Sequence, residues 1–163
     1  MIIIGIDPGL TGACSFIDTR TKACSVHDLP TMPLPGNGLI KRKIDGLALA
    51  QLLRVHAPVD EDAASFLEQV GAMGSKNNAV QTQVSLGRSL GAIEAVLECF
   101  RRPPAMLHPQ TWKKRFGLGS DKALARQIAV SLYPMLAEDL KLVKHHNRAE
   151  AVLIAHFGMG RVA

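Results

Sequence analysis

The sequence predicts an α/β fold, a mixed five-stranded sheet flanked by helices. Three observations carry this. The chain opens on a short, β-branched apolar run; two strand-like segments follow it at once; helix-like and strand-like segments alternate thereafter. Right-handed crossovers through the two helices of that alternation set the first, fourth and fifth strands parallel and side by side. The opening three strands then form an antiparallel meander on the other edge.

Ile2 to Asp7 has no polar break before its aspartate, as in a central strand covered on both faces. Pro8-Gly9 stops it, because Pro presets φ at the first central position of a tight turn and Gly accepts a positive φ at the second. Asp7 is thereby left at the carboxyl end of a buried strand, the edge where open α/β sheets collect ligands. Gly12 to Asp18 and Lys22 to Asp28 read as the next two strands. The Pro- and Gly-rich stretch from Pro30, ending in Lys41-Arg42-Lys43, reads as a loop.

Ile44 to His56 sets Ile44, Leu47, Ala48, Leu52 and Val55 on one helical face and stops before Pro58. Ala64 to Val70 reads as a buried strand carrying one carboxylate, Glu68. Glutamate is rarely buried unpaired, so a cation is expected beside it. Ala79 to Phe100 is a long helix with Leu86, Leu90, Ile93, Leu97 and Phe100 in one stripe and Gly87 and Gly91 on an adjoining face. Two glycines inside a helix cost about 1 kcal/mol each against Ala. They predict the close approach of another backbone, from this chain's own sheet or from a second subunit. Ala105 to His108 is a short inner strand, and Trp112 in the segment after it is assigned to the core. Asp121 caps a helix through Tyr133, and Ala151 to Met159 is the last helix, introduced by Asn147-Arg148-Ala149-Glu150.

At 163 residues the chain is read as one domain, 1–163, large enough to bury a core without disulfides. Cys14, Cys24 and Cys99 match neither a CxxC pair nor a zinc spacing, which predicts a reducing compartment. No apolar run reaches membrane-spanning length and no basic region precedes the opening strand, so a cytoplasmic protein without membrane contact is expected. The formal charge is +5, and it is lopsided. Residues 1–71 hold six Lys or Arg against eight Asp or Glu, and residues 72–163 hold thirteen against six. Such an excess suits a polyanionic partner, although solubility alone also explains it.

Four motifs together resemble the RuvC family of Holliday junction resolvases, of the ribonuclease H-like superfold, in a phage or bacterial form. They are IGIDPGLTGA at the start, FLEQV in the fourth strand, HPQTWKK after the fifth, and HHNRAEAVLIA at the last helix. The resemblance implies a homodimeric endonuclease that resolves four-way or otherwise branched DNA by paired, symmetric phosphodiester cleavage. It also implies two Mg²⁺ ions per site, with Mn²⁺ able to substitute. Two ions about 3.5–4 Å apart serve such hydrolysis, and they need converging oxygen ligands. Asp7, Glu68 and Glu150 match the family's acidic positions. Three residues before the last acid the family has an acidic or His residue, where this chain has Asn147. His146, one turn before Glu150, is the expected fourth ligand and catalytic residue, with Asn147 as helix cap or a neutral ligand. Asn-x-x-Glu is also a capping-box pattern that needs no metal. Lys113 and Lys122 match basic positions facing DNA, with Lys76 and Lys114 added as DNA-binding candidates. Gly87 and Gly91 are the expected dimer interface. Gly71 stands where the family often has an aromatic wedge, which leaves Met73 as the nearest substitute.

Two other readings compete. A branched-DNA binding protein that has lost cleavage accounts for Asn147. An ATP-binding domain of the actin and sugar-kinase superfold has a similar opening, but it needs two such domains and a second Gly-rich phosphate loop, and the chain shows neither. Junction nicking separates enzyme from binder, and ATP turnover tests the last reading.

Overall fold

The structure, a computed structural model, describes residues 1–70, 80–119 and 121–162, without the side chain of Lys122. The strands are β1 (Ile2–Asp7), β2 (Ala13–Asp18), β3 (Cys24–Asp28), β4 (Thr31–Pro33), β5 (Arg42–Ile44), β6 (Ala63–Glu68) and β7 (Ala105–Leu107). The helices are α1 (Gly46–His56), α2 (Val80–Cys99), α3 (Pro109–Arg115), α4 (Lys122–Leu132) and α5 (His146–Met159), with 3₁₀ turns at Pro134–Leu136 and Val143–His145. Five strands form one mixed sheet in the order β3-β2-β1-β6-β7. β1 pairs antiparallel with β2 and parallel with β6, and β6 pairs parallel with β7. Among the described residues no helix is long and apolar enough to cross a membrane.

β1 is central because it offers apolar residues to both faces. Ile4 and Ile6 pack with Leu49, Leu53, Ile93 and Leu97 of α1 and α2, whereas Ile3 packs with Trp112 and α4 and α5 on the other side. α5 is the most deeply buried helix, with Ala149, Ala151, Val152, Leu153, Ile154 and Ala155 all inaccessible. A helix apolar nearly all round is one enclosed by its neighbours, here the sheet, α3 and α4. Its backbone lies directly on β1 at Gly5, where an added Cβ would collide with Ala151 and Ala155. Beside it Ser15, opposite Gly5 in register, donates a buried 2.8 Å hydrogen bond to the Ala151 carbonyl.

Three expectations are corrected. The presumed loop after Pro30 contains the hairpin β4-β5, held by Arg42, whose Nε donates to Thr31 Oγ1 at 3.0 Å and Nη2 to Thr31 O at 2.7 Å. Ile44 therefore ends a strand, and Asp45 caps α1 by accepting from Ala48 N. Starting the helical period at Ile44 misphased this helix. Leu49 and Leu53 are buried, whereas Leu47 and Val55 are 68% and 72% exposed. β7 lies at the sheet edge rather than inside, and His108 leaves it to become the N-cap of α3.

Gly5→Ala is expected to destabilise the fold by about 1–3 kcal/mol through overpacking, measured by denaturant unfolding. A neutral result would mean that α5 does not lie this close to β1.

Candidate metal centre

β1 and β6 run parallel with Ile6 beside Leu67, so Asp7 and Glu68 emerge together at the carboxyl edge of the sheet. α5 crosses this edge at its first turn and brings Glu150. One carboxylate oxygen from each of Asp7, Glu68 and Glu150 lies within 4.8 Å of the others. Among the described residues these three alone form such a group of potential ligands. The turn after β1 has the form expected of Pro8-Gly9, with Gly9 at φ +128°.

Two neighbours from α3 complete the cluster. Pro109 occupies the first turn of that helix, where its missing N–H costs nothing, and His108 Nδ1 accepts from Gln110 N at 3.3 Å. Trp112 is buried as expected, and its Nε1 also donates to Glu68 Oε1 at 3.2 Å. Lys113 Nζ lies 3.0 Å from Glu150 Oε2 and 3.7 Å from Glu68 Oε1. This is the cation that a buried glutamate demanded. The signal for it was the WKK run itself, read at first only as a phosphate contact.

The electrostatics follow from crowding. Burial, then the charges of Glu68 and Glu150, push the Asp7 carboxyl well above the usual carboxylate range despite the opposing pull of Lys113. Burial also raises Glu68, against Lys113 and with Glu150. For Lys113, burial works to lower the ammonium, but its hydrogen bond to Glu150 and the surrounding negative charge outweigh that, so it is raised. Three converging carboxylate oxygens, short of counter-charge and without sulfur or nitrogen donors, suit a hard divalent cation such as Mg²⁺ or Mn²⁺.

The first turn of α5 does more than deliver Glu150. Asn147 Nδ2 donates to Thr11 O at 2.7 Å and lies 3.3 Å from Thr11 Oγ1, which ties the helix to the turn behind Asp7. Arg148 makes a two-pronged ion pair with Asp28, 2.6 Å from Nε and 2.8 Å from Nη2, and donates to Asp139 O. The expected Asn147 cap is corrected: α5 begins at His146, and its cap residue, His145, makes no side-chain cap bond. Asn147 thus sits inside the helix, and its amide serves the neighbouring turn. His146 stands outside the carboxylate group, half-buried, with Nδ1 3.4 Å from Val143 O. Lys114 is exposed on α3. Gly87 and Gly91 face outward, with nothing among the described residues within 4 Å of an added Cβ, so packing on this chain's own sheet is not their reason. Gly71, Met73, Lys76 and the side chain of Lys122 lie outside the described residues.

No family model matches this chain, and no curated protein does. Solved structures do. Thermus thermophilus RuvC in complex with a Holliday junction substrate is similar over 99% of this chain and 96% of its own, at a TM-score of 0.59 and 18% identity. A second Thermus thermophilus RuvC structure covers the same shares at a TM-score of 0.54 and 18% identity. At that identity the likeness is one of fold: this chain has a RuvC-like ribonuclease H fold.

The raised carboxyls predict how the metal-free protein responds to pH. Groups whose pKa is raised by folding contribute stability at acidic pH, below their unfolded values near 4, and lose it as pH rises through the folded values. Asp7→Asn, which removes the buried charge, is therefore expected to raise the melting temperature of the metal-free protein near pH 7. Mg²⁺ should raise the melting temperature of the wild type and leave Asp7→Asn nearly unmoved. Equal metal stabilisation of both would remove Asp7 from the centre.

Proposed function

We propose that this protein is a divalent-metal-dependent endonuclease that resolves four-way DNA junctions by paired cleavage. The observation that carries this reading is the convergence of Asp7, Glu68 and Glu150 at the strand ends of a RuvC-like sheet. One similar structure is described as a complex with a Holliday junction substrate, which supports the same substrate class here. The basic excess of residues 72–163 suits a phosphate backbone.

Asp7, at the end of the central strand, would hold the metal together with Glu68 and Glu150. Divalent ions held there would supply a more acidic water nucleophile and positive charge for the leaving oxygen. Trp112 fixes the Glu68 carboxylate through its indole N–H. Lys113 is the counter-charge beside Glu68 and Glu150, and with metal held there its ammonium would be available to the scissile phosphate. Lys114, Lys122 and Lys76 add phosphate contacts. His146, one helical turn before Glu150, would be the fourth ligand. Two symmetric cuts need two sites, which the outward-facing Gly87 and Gly91 supply by pairing α2 with its copy.

Labelled four-way, three-way, flap and duplex substrates, incubated with and without Mg²⁺ or Mn²⁺, test the reading. Paired nicks in the four-way junction are expected. Asp7→Asn and Glu68→Gln should abolish cleavage while retaining junction binding, because removing negative charge does not weaken contact with phosphate. Gly91→Arg should give monomers that nick singly. Near wild-type cutting by either carboxylate variant would overturn the assignment, and retained binding without any cutting by the wild type would favour a junction-binding protein.

His146→Ala should lower cleavage far more than Asn147→Ala, and activity should be higher in Mn²⁺ than in Mg²⁺. The Asn147→Ala penalty should appear chiefly as ~1 kcal/mol of stability, from the lost hydrogen bond to Thr11. An inactive but normally stable Asn147→Ala beside an active His146→Ala would move the fourth ligand one residue along.

A further inference from the structure

A cavity of about 780 Å³ lies along the carboxyl-terminal half of α5, away from the carboxylates, and the reaction above leaves it unused. Ile128 and Leu132 of α4 form its apolar floor, and the rings of Phe116, His156 and Phe157 line it. Three cations surround it: Lys22 from the turn between β2 and β3, Arg115 from the end of α3, and Arg161 after α5. No acidic side chain lines the cavity, and among the described residues none of the three cations pairs with a carboxylate.

The cations are placed by local contacts. The Arg161 guanidinium lies 4.9 Å from the centre of the Phe157 ring. Lys22 Nζ lies 3.9 Å from Met159 Sδ. Phe116 meets the His156 ring edge-on at 5.9 Å, and His156 Nδ1 lies 2.9 Å from the Tyr133 hydroxyl. The positive field reaches inside: the His156 imidazole is held below its ordinary pKa by burial first, then by Lys22 and Arg115.

Exposed cations alone are a solvated surface, and buried rings alone are core. Both in one cavity define a narrower ligand, because uncompensated guanidinium and ammonium groups favour phosphate and the rings favour a flat partner. The volume falls in the range of sites that take small molecules, roughly 300–1,000 Å³. We propose that this cavity binds one nucleotide unit, with its phosphate among Lys22, Arg115 and Arg161 and its base against Phe116 and Phe157.

The source of that nucleotide rests on the nuclease reading. Arg115 follows Lys113 by two residues on α3, so one short helix touches both the carboxylates and the cavity. Lys22 adjoins Asp18, the partner of Ile2, so the cavity lies toward the amino end of β1, about 17 Å from Asp7 at roughly 3.3 Å per residue. A strand leaving the scissile phosphate covers that distance in roughly five nucleotides at 3.4 Å each. The cavity thus suits an unpaired nucleotide of the strand being cut.

Three ligands test this on the full-length protein: deoxyadenosine monophosphate, inorganic phosphate and a single-stranded decanucleotide, with the His156 ring resonances as the reporter. The mononucleotide and the decanucleotide should both shift His156, and inorganic phosphate should bind far more weakly. Arg115→Ala and Arg161→Ala should each weaken decanucleotide binding about tenfold at low salt and flatten the salt slope by about 0.7 per lost contact. Much tighter binding of the decanucleotide assigns the ligand to a strand, and equal affinities assign it to free nucleotide. A silent His156 with both nucleotide ligands, or unchanged salt slopes in both variants, overturns the proposal. A protein that cuts no branched DNA yet shows the His156 shift would lose the nuclease reading and keep this one, and the converse pattern would do the reverse.

Discussion

The contact on which the rest of the structure depends is the seating of α5 on β1 at Gly5. Any side chain there would lift the helix by at least a methyl group, and the Ser15 hydroxyl beside it would lose the Ala151 carbonyl. Glu150 immediately precedes Ala151. The separation between Glu150 and Asp7 is therefore set by core packing rather than by attraction between groups, since like-charged carboxylates repel. The alanines at 149, 151 and 155 and the closeness of Gly158 to Phe66 serve the same end. Packed interiors deform little, which is how a fold keeps three mutually repelling groups together.

Lys113 is the second half of that arrangement. Without a bound ion the cluster would carry excess negative charge, and repulsion would oppose the crowding. An ammonium between Glu68 and Glu150 offsets part of this. Trp112, just before it, faces the core and turns its one polar atom to Glu68. The two adjacent side chains thus meet the carboxylate at the same oxygen, Oε1, one as a neutral donor and one as a charged group.

Much of this was legible in the sequence because it rests on short-range rules. The unbroken β-branched run and its Pro-Gly stop identified the central strand and put Asp7 at its end, and the lone glutamate in an apolar strand announced a cation. The meander and the parallel trio followed from alternation and handedness. What was illegible depended on pairing between distant side chains. Arg42 reaching Thr31 makes a hairpin from a stretch whose prolines and glycines read as a loop. Asn147 carries the pattern of a cap, yet its amide finds Thr11, 136 residues away in sequence, and no local rule foresees that. The phase of α1 failed for a smaller reason: a buried isoleucine belonging to the preceding strand was counted as the first position of the helical stripe.

The two adjacent side-chain straps just before Ala149 have a consequence for how the protein breathes. The first turn of a helix ordinarily frays, because its amides lack partners and little holds it to its surroundings. Here Asn147 fastens that turn to the β1–β2 connection, and Arg148 fastens it to β3. Glu150 is the carboxylate of the cluster that comes from outside the sheet, yet it opens and closes with the sheet as one cooperative unit. In hydrogen-exchange terms the amides around it belong with the slow core of the molecule rather than with its helix ends.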